Sequence, residues 1–458
     1  MSKDRRKLRL LVAKHKIFII CWLISSILWS WLWLIDAARI SQQRLIPYLI
    51  IGLVFFLITG LSALVFSRTI MHLALKYRQK PGVLWLLYTI VIWAFAEALV
   101  AWLVAFIWIG RNGSISNVLP FDSLTPFVMY TPLRFLSRFV GFHGLSAIVV
   151  VGAAVLILKN VKKYALAYWA TVAMLTFFSW LLYKTPNGVP TRVTVIAETL
   201  EHKLPVNSYD SKLIILPEYG LDDSVDVVKP QRFMPTDSIY YYVGSKLTNT
   251  PIGHTNVLVF GNSKDGNIQH QAKNRLIPGG EHLSYGVEMA LGIFSPTTLS
   301  DFKTRREVLR GTKSIIPYFI DNDLIVGAGV CSSTISTRDY RQLAKKGATI
   351  LSNSASLEIF EGSRLFRWQQ LGLSTFMATA NARPFLQSTN NWPAYALDNN
   401  GRQVMKTLPI SQKQGIIITN NRNTPYTILG EWPVWVGAII TLFHLARLAR
   451  MKSPKKLK

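Results

Sequence analysis

The stretch "DLIVGAGVCSST" (residues 323–334) has the pattern of a short buried strand that ends on a cysteine. A β-branched apolar run bounded by polar residues is typical of such a strand. The chain has 458 residues and only two cysteines, and the other, Cys21, lies in an apolar run near the start. Two cysteines cannot form a disulfide framework, so we predict that Cys331 is an unpaired thiol at a strand end.

Residues 184–430 contain further short strands of this kind. Many are bounded by Gly, Asn, Asp or Pro, and they include "RVTVIAE", "KLIILPE", "TNVLVFGN", "GATILSN" and "GIIITNN". Helical patterns such as "TRDYRQLAKKG" lie between some of them. Strands mixed with helices predict a layered α/β domain.

The rest of the chain is much more apolar. Half of all residues are hydrophobic and the mean hydropathy is +0.26, with the excess in the first 183 residues and in one run near the C-terminus. About 20 apolar residues span a hydrocarbon core of about 30 Å. We predict six spans, with up to eight possible, at 17–35, 45–67, 83–110, 144–159, 164–183 and 432–446.

Two apolar segments have alternative interpretations. The run 17–35 could be a signal peptide, but its length, its tryptophans and the lack of a small-residue cleavage site favour a membrane anchor. The segment 111–143 is interrupted by Pro, Gly and Arg. It is predicted to be interfacial or re-entrant, or to contain one or two short helices.

The net charge of +27 has two possible explanations. Nucleic-acid binding is one, but no helix-turn-helix, zinc-finger or RRM signature is present. The positive-inside rule is the other, because Lys and Arg flank the apolar runs at both termini and after the second and fourth spans. With six spans, the basic segments share the cytoplasmic side and residues 184–430 face outward. The predicted divisions are 1–183, 184–430 and 431–458.

Three stretches of the outer region place reactive side chains after or near apolar segments. They present Glu218 in "LIILPEYG", Lys273 and Glu281 in "KNRLIPGGE", and Cys331 in "GVCSS". Together they would form a nucleophilic site: the thiolate attacks an acyl carbon and the carboxylate moves its proton. The lysine would lower the pKa of the thiol and stabilise an oxyanion, with the backbone N–H of Ser332 as a second donor.

Each of these residues also has an ordinary structural interpretation. Glu218 could be a turn carboxylate, Lys273 a solvated surface residue, and Cys331 a small buried hydrophobe. Glu281 could pair with Arg275. Only when the four residues are considered together do their order and local contexts favour a catalytic site.

The order and contexts resemble the nitrilase (carbon–nitrogen hydrolase) superfamily, whose members use a Glu-Lys-Cys triad. With membrane helices around the α/β region, the layout is similar to that of the apolipoprotein N-acyltransferase family. The resemblance implies an αββα sandwich fold with Glu218 as general base, Lys273 and a supporting Glu281, and Cys331 as nucleophile. "ILSNSAS" and "ARPFLQSTNN" resemble later motifs, which assigns substrate binding to Asn353 and Arg383.

The chain departs from that family close to the nucleophile. Ser332 and Ser333 stand where the family has an aromatic residue and a glutamate, and Ser354, Ala355 and Ser356 replace an Asp-Ala-Trp run. These differences are typical of a divergent paralogue.

The resemblance implies an inner-membrane acyltransferase with a periplasmic catalytic domain. It would take a fatty acyl group from phospholipid as a thioester and pass it to an amine such as a lipoprotein N-terminus. The alternatives are a membrane-anchored amidase, a paralogue associated with conjugative transfer that has another acceptor, and a non-catalytic scaffold. No metal or cofactor is expected, since no HExxH spacing or glycine-rich phosphate loop is present.

Overall fold

The structure is a computed structural model, and it describes most of the chain. The described residues are 12, 14–30, 45–113, 121–206, 211–221, 239–250, 253–264, 268–311, 315–357, 360 and 363–452. They form a helical part and an α/β domain, so the predicted combination is confirmed.

Long apolar helices dominate the N-terminal part. Its helices are α1 (residues 14–30), α2 (Leu45–Gln79), α3 (Val83–Ile107), α4 (Thr125–Val128), α5 (Ser137–Ile157) and α6 (Ala165–Tyr183). Four segments of the described chain are long and apolar enough to cross a membrane: Tyr48–Gln79, Val83–Ile107, Pro132–Ile157 and Lys162–Tyr183.

Some predicted spans and observed helices have different ends. The span at 45–67 continues as α2 to Gln79, because no proline or glycine interrupts the chain between Gly60 and Pro81. Residues 31–35 of the first predicted span lie outside the described residues. The last span begins α12 (Trp432–Lys452), whose apolar portion, Trp432–Arg447, is shorter than the other spans.

The interrupted segment 111–143 contains short helices, which was one of the predicted alternatives. These are α4 and a 3-10 helix at Pro132–Leu136, which leads into α5. Helix α5 is kinked at Gly141, where φ is 73°. The Glu431 carboxylate accepts hydrogen bonds from the N–H groups of Phe142 (2.9 Å) and His143 (3.2 Å), so it caps the helix that restarts there.

The described residues of the α/β domain form one mixed sheet of 12 strands. The strands are β1 (Pro190–Glu198), β2 (Leu213–Ile215), β3 (Tyr241–Thr250), β4 (Gly253–Asn262), β5 (Gln269–Ala272), β6 (Tyr318–Phe319), β7 (Ile325–Val330), β8 (Ile350–Ser356), β9 (Phe385–Asn390), β10 (Tyr395–Leu397), β11 (Gln403–Lys406) and β12 (Ser411–Ile418). The main path has the order β5-β4-β3-β2-β1-β9-β8-β7-β6.

Strands β1–β3 and β7–β9 run parallel, so their carboxyl ends meet at one edge of the sheet. The sheet curls, and its two halves enclose one core that contains Phe260 of β4 and Tyr318 of β6. These two rings stack with their centroids 5.0 Å apart. A single curled sheet therefore supplies the two facing sheet layers that the family resemblance implied.

Helices cover one outer face of this sheet. The remaining helices are α7 (Tyr285–Phe294), α8 (Pro296–Arg305), α9 (Thr337–Lys345), α10 (Arg364–Asn381) and α11 (Pro425–Leu429). Helices α9 and α10 pack on β7–β9, and their apolar residues continue into the core of the N-terminal helices. On the outer face of β1–β4, the described residues that pack on the sheet lie in loops and include Leu204, Val206 and Leu221.

Buried polar side chains connect the two parts of the molecule. Arg138 of α5 is fully buried and donates to the backbone carbonyls of Ser179 (3.0 Å), Thr379 (3.1 Å) and Asn399 (3.0 Å). Gln369 of α10 donates to the carbonyls of Leu28 and Phe121. The helical part and the α/β domain thus share one continuous interior.

Candidate active site

Glu218 lies just beyond β2, at the edge where the parallel strands end. Its backbone is held from two sides: its N–H donates to Ala355 O (3.4 Å), and its C=O accepts from the Asn390 side chain (2.6 Å). The following Tyr219 has φ of 59°, which turns the chain sharply after the carboxylate. The strand end and this turn direct Glu218 into the protein, where it is 2% exposed.

Three donors bind the Glu218 carboxylate. Oε1 accepts from Asn256 Nδ2 at 2.6 Å and from Lys273 Nζ at 3.1 Å, and Oε2 accepts from Ser356 N at 3.0 Å. Buried carboxylates are tolerated only when they are paired and hydrogen-bonded. Glu218 is therefore not a solvated turn residue.

Lys273 lies between two carboxylates. Its Nζ donates to Glu218 and, at 2.6 Å, to Glu281 Oε1, whose second oxygen accepts from Ile277 N at 2.8 Å. The alternative partner of Glu281, Arg275, forms an ion pair with Asp339. The ammonium of Lys273 is thus held by two acids in the interior and is not a surface charge.

Cys331 occupies the sharp turn between β7 and a 3-10 helix at Cys331–Ile335. Its φ of 46° is in the left-handed region, which is uncommon for a residue with a side chain. The thiol donates to Ser356 O at 3.5 Å and is buried. Because Ser356 N binds Glu218, one residue at the end of β8 contacts both the base and the nucleophile.

The electrostatics keep the thiol protonated. Burial and the nearby Glu218 carboxylate raise the pKa of Cys331 well above its ordinary value, and Lys273 offsets only part of this. Lys273 lowers the pKa of the thiol, as predicted, but burial and the Glu218 charge outweigh this one cation. Burial also raises the pKa of Glu218, which makes it a stronger proton acceptor.

Lys273 remains charged in this environment. Burial lowers the pKa of Lys273. The carboxylates of Glu218 and Glu281 raise it by more, so the resulting pKa lies well above its ordinary value. The site therefore combines a protonated thiol, a basic carboxylate and a fixed ammonium. This set can generate a thiolate only by moving the thiol proton to Glu218.

Cys331 lies at a largely apolar pocket that is open to solvent. The lining residues are Trp108, Ile277, Pro278, Cys331, Ser332, Thr334, Ile335, Leu357, Phe360, Phe366 and Gln370. Trp108 directly follows α3, so the helical part supplies one wall. The pocket lies where the two parts of the molecule meet.

The other predicted site residues have different surroundings. Ser332 lines the pocket, and its hydroxyl donates to Arg275 O. Asn353 donates to Cys331 O at 3.3 Å. Arg383 donates to Ala348 O, Arg422 O and Asn423 Oδ1, all within the protein. Substrate binding by Asn353 and Arg383 stays a prediction.

Two further residues hold the base: sequence reasoning missed Asn256, and it placed Asn390 in a motif without giving it a role. Asn256 binds the Glu218 carboxylate and Asn390 binds its backbone, and both are buried. The signal for Asn256 was an amide within the β-branched strand "TNVLVFGN", since a buried amide needs a polar partner. Within the described residues, no group of three or more His, Cys, Asp or Glu side chains is placed to hold a metal ion.

No protein-family model matches the sequence. Among solved structures, the chain is similar to Saccharomyces cerevisiae Nit3, a member of branch 10 of the nitrilase superfamily (14% identity, 51% of this chain and 91% of that chain, TM-score 0.36). It is also similar to a carbon–nitrogen hydrolase from Helicobacter pylori (16% identity, 54% of this chain and 94% of that chain, TM-score 0.35). An amidase from Nesterenkonia gives 11% identity, 53% and 95% coverage, and a TM-score of 0.36. Such values support no statement about activity, so the function proposed for this chain rests on its own residues.

Proposed function

We propose that this protein is a membrane-bound acyltransferase that uses Glu218, Lys273 and Cys331 and forms a thioester on the cysteine. The supporting observation is that three distant segments bring these side chains into one buried cluster, and that the thiol opens into an apolar pocket. A decayed scaffold has no need to keep a buried Glu-Lys-Glu cluster, which is costly unless every charge is satisfied.

The first half-reaction transfers the acyl group to the enzyme. Glu218 takes the proton of the Cys331 thiol, and the sulfur attacks the carbonyl carbon of an ester. A C–S bond forms and the carbonyl π pair moves to oxygen. When the tetrahedral intermediate collapses, the ester C–O bond breaks, and Glu218 returns the proton to the leaving alcohol.

The second half-reaction releases the acyl group to an amine. Glu218 accepts a proton from the amine as its nitrogen attacks the thioester carbon. The C–N bond forms, the C–S bond breaks, and the thiolate recovers the proton. Lys273 Nζ and the N–H of Ser332 would stabilise the oxyanion in both halves, and Glu281 would hold Lys273 in place.

The lining of the pocket favours an acyl chain over a small polar amide. Its walls include Ile277, Ile335, Leu357, Phe360 and Phe366. Burying a methylene group in such surroundings contributes about 0.8 kcal/mol. A phospholipid would be the donor, and a lipoprotein N-terminus or another amine would be the acceptor.

The distribution of charge fits a periplasmic catalytic domain. The basic turns after α2 and α5 lie together, since Asn160 N donates to Tyr77 OH at 2.9 Å. Helix α3 starts just after the first of these turns, and the α/β domain adjoins its opposite end, where Tyr285 N donates to Ile109 O. By the positive-inside rule the basic end is cytoplasmic, which would place the active site at the outer surface of a bacterial inner membrane.

Intact-mass measurement of the membrane-purified protein tests the proposal. We expect a hydroxylamine-labile fatty-acyl adduct on the wild type and on Cys21→Ala, the matched control, and none on Cys331→Ala. An adduct that remains on Cys331→Ala would contradict the proposed nucleophile. Release of free fatty acid at the rate of adduct decay, with no transfer to an added amine, would indicate a hydrolase.

A further inference from the structure

The backbone carbonyl of Cys331 is held by two side chains from different elements. Thr334 Oγ1 donates to Cys331 O at 3.1 Å, and Asn353 Nδ2 donates to it at 3.3 Å. Both donors are buried, with exposures of 1% and 0%. Few carbonyls at a helix start receive two side-chain donors, because such carbonyls normally bond within the helix.

Each of the two donors is itself fixed by another residue. Gln370 Nε2 donates to Thr334 Oγ1 at 2.9 Å, and the threonine hydroxyl has two acceptors in range, of which Cys331 O at 3.1 Å is nearer than Gln370 Oε1 at 3.3 Å. Tyr340 OH has two acceptors in range, Ser352 O at 3.0 Å and Asn353 Oδ1 at 3.1 Å, and its contact with Oδ1 fits an amide whose NH₂ group faces Cys331. Four side chains from α9, α10, β8 and the 3-10 helix therefore act on one carbonyl.

The orientation of this carbonyl determines the direction of the next N–H. The peptide bond between Cys331 and Ser332 is planar and trans, so its C=O and N–H point in opposite directions. With the oxygen bound to Thr334 and Asn353, the Ser332 N–H points away from both residues. Ser332 is the second residue of the 3-10 helix, so its N–H has no partner within that helix.

We infer that Thr334 and Asn353 are positioning residues that preset the oxyanion hole, by locking the Cys331–Ser332 peptide with the Ser332 N–H directed into the pocket. The inference rests on the proposed function, because it assigns a role only if Cys331 is acylated. It also gives Asn353 a role different from the predicted contact with substrate. A rotated peptide would present a carbonyl oxygen to the developing oxyanion, and two like charges would then face each other.

Two thiol probes separate this role from a general structural one. Acylation of Cys331 by p-nitrophenyl octanoate passes through an oxyanion, whereas alkylation by iodoacetamide at a saturated carbon does not. Loss of one oxyanion donor slows acylation roughly 10²–10³-fold. In full-length protein in detergent, we expect Thr334→Val and Asn353→Leu to slow acylation at least about tenfold, because the donor is misdirected but not removed.

The same variants should leave the alkylation rate within about twofold of wild type, and Thr334→Ser, which keeps the hydroxyl, should recover acylation. Thr194→Val is the matched control, since Thr194 is an equally buried threonine bonded to Ser211, and neither of its rates should change. A parallel fall in both rates, or no fall in acylation, would overturn the inference while leaving the proposed function intact. If p-nitrophenyl octanoate does not acylate Cys331 in the wild type, both the inference and the proposed function are contradicted.

Discussion

The reactivity of Cys331 depends on the sum of the charges that surround it. The ammonium of Lys273 pairs with two carboxylates, those of Glu218 and Glu281. Burial strengthens each of these electrostatic interactions. These three groups carry one net negative charge. A thiolate formed without transfer of its proton to Glu218 would add a second. The site therefore favours concerted transfer of the thiol proton to Glu218 over a preformed thiolate.

Glu218→Gln should lower the pKa of the Cys331 thiol. The variant removes a negative charge that raises this pKa, so the thiolate becomes available at lower pH. The pH dependence of iodoacetamide alkylation measures the change, and its midpoint should shift to lower pH. Acyl transfer should nevertheless be lost, because no group remains to return a proton to the leaving alcohol.

Lys273→Met should raise the pKa of the Cys331 thiol. Lysine lowers the thiol pKa, so the alkylation midpoint should move to higher pH in this variant. Glu288→Gln, at a partly exposed ion pair with Lys303, should leave the midpoint where it is. Shifts of the same sign in Glu218→Gln and Lys273→Met would contradict the charge assignment.

At the residue scale, the sequence predicted the types of the reacting groups but not their supports. Glu218, Lys273, Glu281 and Cys331 could be proposed because reactive side chains near apolar strands are visible in the sequence. Asn256 could not be paired with Glu218 in the same way. Their contact depends on the register of β3 with β2 on one side and with β4 on the other.

At the element scale, helix α10 is fitted closely against the short helix α4. A Cβ atom on Gly372 would lie 2.1 Å from Pro126 O, which is backbone and cannot move aside cheaply. This contact shows that the backbone of α4 is buried against the α/β domain.

Gly372→Ala should therefore destabilise the protein despite the higher helix propensity of alanine. Overpacking of this kind typically costs about 1–3 kcal/mol. Thermal unfolding in detergent, followed by circular dichroism, should show a clear fall in Tm.

Gly292→Ala is the control for that substitution. Gly292 lies inside α7, and an added Cβ there would meet only Leu299 Cδ2, at an ordinary 3.7 Å. Its Tm should be equal to or slightly above that of wild type, because glycine in a helix costs about 0.5–1 kcal/mol relative to alanine. Equal Tm values for the two variants would argue against close packing of α10 on α4.

At the scale of the whole molecule, the helical part forms one wall of the reaction site. Trp108 at the end of α3 lines the pocket, and Gly110 is packed so closely on Leu283 O that an added Cβ would lie 2.0 Å from it. The apolar helices are therefore more than an anchor. The proposed function would use this shared surface to bring an acyl chain to Cys331.

Cysteine labelling tests the proposed orientation. In a Cys21→Ser, Cys331→Ala background, Lys264→Cys on the α/β domain should react with a membrane-impermeant maleimide in intact spheroplasts. Lys80→Cys and Lys159→Cys, on the exposed basic turns, should react only after lysis. Labelling of Lys80→Cys before lysis would reverse the assignment of the two sides.

The sequence by itself determined the two classes of structure and the kinds of reactive group. Apolar length and strand periodicity are local properties, so they distinguish long helices from an α/β domain without knowledge of contacts. Only the tertiary structure decided how these groups work together. The raised pKa of Cys331, the Asn353 bond to its carbonyl and the pocket wall at Trp108 all join residues far apart in the chain. Their proximity follows from sheet register and from the packing of α3, α5 and α10 against the sheet, which no local pattern encodes.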